Sequence, residues 1–336
     1  MNIKDQGVVP AVKDEVSVAP PSTGNGPRRQ LPEAFALVVV LGALVIFFTV
    51  TSPVFFTTNN MLNMLTSIAV IGIMAVPGTI LLVAGQVDLS VASAAAMCGM
   101  VTATLAESLG LGMGIFIGLA VGLLVGIING FFVTVIGVNS LIVTLAGLAT
   151  FFGIGQLIGD GQTVLVQGFR DLGTSRPFLN IPMPVIIFVL ALIAGFIVLK
   201  YTVFGRQVYA IGANPVAARL VGIPSRRVIF IAFALSGLAA SLAGLILVSQ
   251  LGAASPNNAR GYELLVVTAI VLGGASLSGG RGTIIGTFLG LMIIQVLSTG
   301  LTLLNVQSFW QSVATGILLL IAVSSDRLRE RLSPLG

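Results

Sequence analysis

Few residues in this chain join reactive chemistry to a spacing that would use it. Asp88, within Gly85-Gln86-Val87-Asp88-Leu89-Ser90, is the only acidic residue between the first apolar run and Glu107. A carboxylate among apolar spans costs roughly 2.5 to 3.5 kcal/mol on membrane-insertion scales and is a functional position by default. Asp88 and the neighbouring Gln86 are therefore candidate gate or pathway residues. The competing reading is that Asp88 or Ser90 caps a helix beginning near Val91. The run Gly273-Gly274-Ala275-Ser276-Leu277-Ser278-Gly279-Gly280-Arg281-Gly282-Thr283 has the glycine density of a phosphate loop. It lacks the Lys-Ser/Thr ending and a preceding soluble strand, which argues against nucleotide binding and leaves Gly273 and Gly274 as further candidate gate or pathway positions. Histidine is absent, so there is no imidazole base, and no carboxylate pair or nucleophile motif has a partner at a useful spacing. The single cysteine, Cys98, offers neither a disulfide nor a paired metal-ligand spacing. No catalytic residue, metal or bound cofactor is expected.

These positions lie between long apolar runs. Of 336 residues, 56% are hydrophobic and only 8% charged, against about 25% charged in soluble proteins. A span needs about 20 residues, so the chain accommodates around ten membrane helices and no sizeable soluble domain. Chemistry that requires a large aqueous site must come from partners. The 41 glycines suit helices that approach closely in a bilayer. The net charge of +5 is scattered between apolar runs instead of gathered on one basic face, so it speaks for topology and against nucleic acid.

Apolar segments fall at 35–50, 61–84, 90–107, 112–135, 141–159, 183–200, 227–249, 263–276, 283–302 and 310–323. The expected fold is all-α and polytopic, with about ten transmembrane helices and a kink at Pro77-Gly78. Residues 1–30 are polar and Pro/Ser/Gly-rich, the composition of a disordered tail. The membrane domain covers 31–325, and 326–336 is a second tail. Arg28-Arg29 invites a signal-peptide reading, but the run that follows is long and lacks a small-residue cleavage site, which favours a retained span. Ten spans put both termini on one side. Placing them inside puts Arg28, Arg29, Lys200, Arg206, Arg219, Arg226, Arg227, Arg281, Arg327, Arg329 and Arg331 in cytoplasmic segments and Arg170, Arg176 and Arg260 outside. The positive-inside rule selects that orientation. The outer loops at 160–182 and 252–261 are then either docking surfaces for a soluble periplasmic protein or plain crossings. Gln295, Asn305 and Gln307 are neutral polar groups in or beside the ninth span, suited either to an uncharged hydroxyl-rich solute or to bonds across the bundle. Val83–Ser90 and Val271–Ser278 share Val, Gly, Leu and Ser at matched spacing, a short match of the kind internal repeats or chance produce.

The densest polar grammar lies at 201–226, within Phe204-Gly205-Arg206-Gln207-Val208-Tyr209-Ala210-Ile211-Gly212-Ala213-Asn214-Pro215-Val216-Ala217-Ala218-Arg219-Leu220-Val221-Gly222-Ile223-Pro224. Asn214 is an N-cap, Pro215 suits the first helical position, Arg219 complements the C-terminal dipole, Gly222 closes the helix and Pro224 forbids its return. A helix of about two turns is too short to stand alone in water. Its Val216/Leu220 and Ala217/Val221 pairs supply a small apolar face for contact with something else.

This segment resembles the cytoplasmic loop of the ribose-type (carbohydrate) ABC permeases, the membrane subunits of bacterial binding-protein-dependent importers. The likeness extends over nearly all of the chain after residue 30, and 85–90 resembles the family's Gly-Gly-x-Asp-Leu-Ser pattern with Gln86 in place of the second glycine. The resemblance implies a type II-like importer bundle in the bacterial inner membrane and a sugar-like substrate. It also implies a second permease chain, identical or related, a periplasmic substrate-binding protein, and a separate ATPase that holds the ATP. It assigns Asn214, Pro215, Ala217, Ala218, Arg219, Leu220 and Gly222 to a coupling helix docked on that ATPase. The alternatives are an ABC permease for amino acids or nucleosides and an ion-coupled secondary transporter, which usually needs more intramembrane acids or bases than this chain offers.

Overall fold

The computed structural model describes residues 33–332. The expected tail over 1–30, with Arg28 and Arg29, lies outside them, as do residues 333–336. In chain order the elements are α1 (Glu33–Thr51), α2 (Thr58–Val83), α3 (Val91–Leu109), α4 (Leu111–Phe131) with a π-turn at Phe132–Ile136, α5 (Ser140–Ile158), β1 (Val164–Leu165), α6 (Asp171–Thr174), α7 (Met183–Tyr201), α8 (Val203–Ala213), α9 (Pro215–Leu220), α10 (Ser225–Leu251), β2 (Ala253–Ala254), α11 (Tyr262–Leu272), α12 (Ile284–Leu303) and α13 (Ser308–Leu332). Among the described residues, seven helices are long and apolar enough to cross a membrane: α2, α3, α4 with its π-turn, α5, α7, α10 and α12. Three more, in α1, α11 and α13, are apolar but shorter. All ten expected segments fall on helices. The eighth departs most, because α11 ends at Leu272 and the expected continuation to 276 is a turn.

Polar side chains set the helix starts. Thr57, Asn139, Thr202, Asn214 and Thr283 each accept a bond from a backbone N–H in the first turn of α2, α5, α8, α9 and α12, satisfying donors that the helix itself leaves open. α2 continues unbroken through Pro77.

Burial sorts the helices into a centre and a rim. The apolar windows of α2 and α10 are 83% and 67% buried, whereas those of α4, α5 and α7 are 28% or less, so α2 and α10 are core and the others present apolar flanks outward. Glycine permits the closest approaches. On α4, Gly114, Gly118, Gly122, Gly126 and Gly130 recur at every fourth residue, and all are buried. A four-residue step overshoots a helical turn by about 40°, so the stripe winds around the helix. Its first members press on α3 at Thr102, and its later ones press on α10 at Gly237 and Phe233. A methyl group at Gly122 or Gly126 would meet the α10 backbone, so small residues here set the interhelical distance.

One face of the bundle carries α8 and α9. On the opposite face, β1 and β2 form a two-residue antiparallel ladder, Val164 to Ala254 and Leu165 to Ala253, that ties the 159–182 segment to the end of α10. Ser249 Oγ accepts from Gly173 N at 2.8 Å and adds a second tie.

Candidate functional site

α9 is mounted as a short platform. Asn214 Oδ1 accepts from Val216 N and Ala217 N, both at 3.0 Å, and Arg219 Nε donates to Pro215 O at 3.2 Å. Gly222, at φ +82°, ends the helix, with Ile223 N returning to Ala218 O at 3.0 Å. Ala218 is buried and Leu220 is 83% exposed, so the two neighbours have opposite tasks. Ala218 fastens the helix to the bundle, while Val216, Leu220 and Val221 form an apolar surface turned away from it. Ala217, Arg219, Pro215 and Asn214 are exposed beside them.

α8, an element the reading of 201–226 as a capped loop did not anticipate, supports that platform. Its signal was present: Thr202 accepts from Gly205 N at 3.1 Å, and Val208 and Ile211 are buried at helical spacing beside half-buried Phe204. At its far end Gly212 lies against the backbone of Val83 and Gly280, where a side-chain carbon would have no room. Gly280 N donates to Val83 O at 2.8 Å, and Tyr209 donates its hydroxyl to Gly282 O at 2.7 Å. Burial pushes the Tyr209 phenol above its ordinary value, which keeps it the neutral donor this bond requires. The ends of α2 and α8 and the 279–282 turn therefore meet backbone to backbone at one junction.

The two glycine-interrupted breaks at that junction share one helix stop. Gly85 N donates to Leu82 O at 2.9 Å and Gln86 N to Leu81 O at 2.8 Å. In the second break, Gly274 N donates to Val271 O at 2.9 Å and Ala275 N to Ile270 O at 3.2 Å. Gly85 and Gly274 have φ of +75° and +90°, so both ends are Schellman caps built on a left-handed glycine. The sequence match paired Gly85 with Gly273, one residue out of the structural register. Gly273 instead faces Gly286 of α12, whose backbone a methyl group would strike.

Asp88 is a cross-helix pin. Ser90 makes no side-chain cap bond to α3, whereas Asp88 accepts from the backbone N–H of Ser90 at the start of that helix, so of the two capping candidates Asp88 has the cap-like bond. Asp88 Oδ1 accepts from Ser90 N at 3.0 Å and from Ser90 Oγ at 2.7 Å, and Oδ2 accepts from Ser236 Oγ of α10 at 2.7 Å. Asn129 of α4 donates to Ser90 Oγ at 2.8 Å. Both carboxyl oxygens are thus engaged, as buried polar atoms require. Gln86 stands next to this network and lines a recess of about 700 Å³ between the π-turn, α8 and α9, together with Asn139, Arg219 and Arg226. The structure thus brings Gln86 and Arg219 to one recess and places Asp88 behind it. Among the described residues no cluster of His, Cys, Asp and Glu could hold a metal.

Residues 60–323 match the family described as "Branched-chain amino acid transport system / permease component". The chain is 42% identical over 293 residues to the ribose import permease protein RbsC of Bacillus subtilis (strain 168), covering 84% of this chain and 89% of the relative. It is 40% identical over 304 residues to the L-arabinose transport system permease protein AraH of Escherichia coli (strain K12), covering 89% and 92%. It is 36% identical over 318 residues to the ribose import permease protein RbsC of Escherichia coli (strain K12), covering 90% and 98%. No solved structure gives a significant match.

Proposed function

The chain belongs to the family described as branched-chain amino acid transport system / permease component, and from that premise we propose how its two faces serve an ATP-driven sugar importer. It is a multi-pass inner-membrane transport subunit, not an enzyme. ATP is bound and hydrolysed by a separate ATPase, and this chain holds no cofactor. The α8–α9 face and both termini are cytoplasmic. A second permease chain completes the passage, and a periplasmic binding protein delivers the solute to the β-ladder face. The family description speaks of amino acids, whereas the matched relatives are named for ribose and arabinose. Those matches span 84% to 90% of this chain at 36% to 42% identity, so their names weigh more than a description covering a broad family, and the substrate is a pentose or similar sugar.

The observation that carries the reading is α9. A six-residue helix with exposed Val216, Leu220 and Val221 is fixed at its back by Ala218 and joined directly to α8. Exposed apolar surface on a polar face marks a protein contact. When the ATPase closes, a displacement of α9 passes to α8, and the tight Gly212 junction delivers it to the end of α2 and to the 279–282 turn between α11 and α12 together. Packed helices answer such a push by switching between discrete arrangements. The ion-coupled alternative loses its main support, since the Asp88 carboxylate is committed to Ser90 and Ser236.

The test is uptake in cells expressing the chain with its ATPase and binding protein. Leu220→Asp is expected to cut ribose or arabinose uptake at least tenfold and to abolish copurification of the ATPase, with membrane insertion unchanged. Full uptake by this variant would overturn the docking role. Uptake of leucine in place of pentoses by the unaltered importer would move the substrate to the amino-acid class.

A further inference from the structure

The segment between α10 and α11 does not stay at the surface. α10 and α3 run side by side, with Gly244 against Ala95 and Gly99 against Val248, so Gly252 is level with about residue 103 of α3. From there the chain descends. Pro256 is buried and meets Gly155 of α5 at the height of Met97. Arg260 and Glu263 share a cavity of about 300 Å³ with Ser93 of α3 and Leu148 and Phe152 of α5. At a helix rise of 1.5 Å per residue, the fall from the level of 103 to that of 93 is about 15 Å. Ala254 and Ala259 are buried at 0% and 1% exposure, and only then does α11 begin, with 11 residues left for the rest of the crossing.

Irregular backbone at membrane depth persists only where it is enclosed by protein or lines a water-filled cavity. Here it adjoins a cavity of about 600 Å³ between α2, α11, α12 and α13, within the roughly 300–1,000 Å³ usual for small-molecule sites. Its polar lining includes Ser67, Arg260, Tyr262, Thr268, Gln295 and Ser298. Ser67 and Gln295 stand near the middle of α2 and α12. The wall is ordered by its own bonds: Gln295 Nε2 donates to Thr299 Oγ1 at 2.9 Å, and Ser298 Oγ donates to Gln311 Oε1 at 2.8 Å. Ile71, Leu264, Leu265, Ile294 and Leu319 supply most of the surface, hydroxyls and amides make up most of its polar side chains, and Arg260 is the one charged side chain in the lining. Glu263, three residues away, stands beside Arg260 in the adjoining smaller cavity.

We propose that this cavity, which the descending segment reaches at Arg260 and Gly261, is where the passing solute contacts the chain, and that the solute is a neutral polyhydroxylated molecule. The proposal rests on the importer reading above and adds a location to it. It also links the two faces, because α11 runs from this cavity to the Gly273–Gly274 stop at the α8 junction.

The test uses the full importer in proteoliposomes. Buried Cys98 is the only native thiol, so introduced cysteines report alone. Gln295→Cys and Ser298→Cys, both at half-buried positions on the cavity wall, are expected to react with a hydrophilic thiol reagent, whereas Phe116→Cys, on an exposed apolar flank of α4, does not. Ribose present during turnover is expected to slow labelling at 295 at least threefold, and ribonate is expected to have no effect. No labelling at 295 and 298, or labelling that ribose leaves unchanged in an importer that transports ribose, would overturn the site. Stronger protection by ribonate would overturn the neutral class. Failure of the unaltered importer to move any sugar would refute the parent reading, while the labelling pattern would still report whether the cavity is wet.

Discussion

Single side chains at the α8–α9 junction separate anchoring from contact. Ala218 is buried, so Ala218→Asp would place a carboxylate under α9 and detach the helix. Leu220→Asp changes only the outward surface and is the cleaner probe of docking. Ser236 donates its hydroxyl to Asp88 Oδ2, and Ser236→Ala would leave that oxygen without its hydroxyl in a buried site. The expected cost is about 1–3 kcal/mol, seen as a lower melting temperature of the purified chain in detergent. Tyr209→Phe removes the bond to Gly282 O while keeping the ring, so it should weaken coupling between ATP hydrolysis and uptake and leave folding nearly intact. The ratio of sugar moved to ATP hydrolysed measures this. Asp88 was conspicuous in the sequence because it is charged. Its partners were not legible, since Ser236 is 148 residues distant and nothing about an isolated serine announces the carboxylate it will meet.

At the scale of elements, the two glycine-bearing breaks respond differently to the same added methyl group. At Gly85 the nearest obstacle to a side-chain carbon is Ser278 O at 3.8 Å, so Gly85→Ala incurs only the strain of a positive φ, about 1–2 kcal/mol. At Gly273 the carbon strikes the Gly286 backbone, and Gly273→Ala must force α11 and α12 apart. Thermal melting should place Gly273→Ala well below Gly85→Ala, and its uptake should be lost. Most helices could be read directly from the sequence, because a bilayer demands long apolar runs, and the cap at Asn214 marked the start of α9. α8 was obscured because its apolar residues, Phe204, Val208 and Ile211, are few and its polar ones suggest a loop. The irregular 252–261 segment was obscured for the opposite reason. Ser255-Pro256-Asn257-Asn258 has the composition of a surface turn, and composition does not reveal that neighbouring helices leave room for it inside. The glycine stripe on α4 was visible as a four-residue repeat, but only the bundle shows that its winding serves two neighbours in succession.

For the whole molecule, the orientation is open to a direct check. Leu220→Cys is expected to be labelled by an impermeant reagent only from the cytoplasmic side, and Leu165→Cys, at a residue 78% exposed on the β-ladder, only from the periplasmic side. The opposite pattern would invert the assignment of both faces. α3, α4 and α10 are locked by glycine contacts along much of their lengths, and Gly286 and Gly290 of α12 seat just as closely against α11. That rod of 11 residues ends in the proposed solute cavity at one extremity and in the ATPase-facing junction at the other. Linkage between two such ends runs equally in both directions. By whatever factor the docked motor subunit alters the binding of sugar, a bound sugar must alter the grip on the motor, so a loaded passage would hold its motor more or less firmly than an empty one.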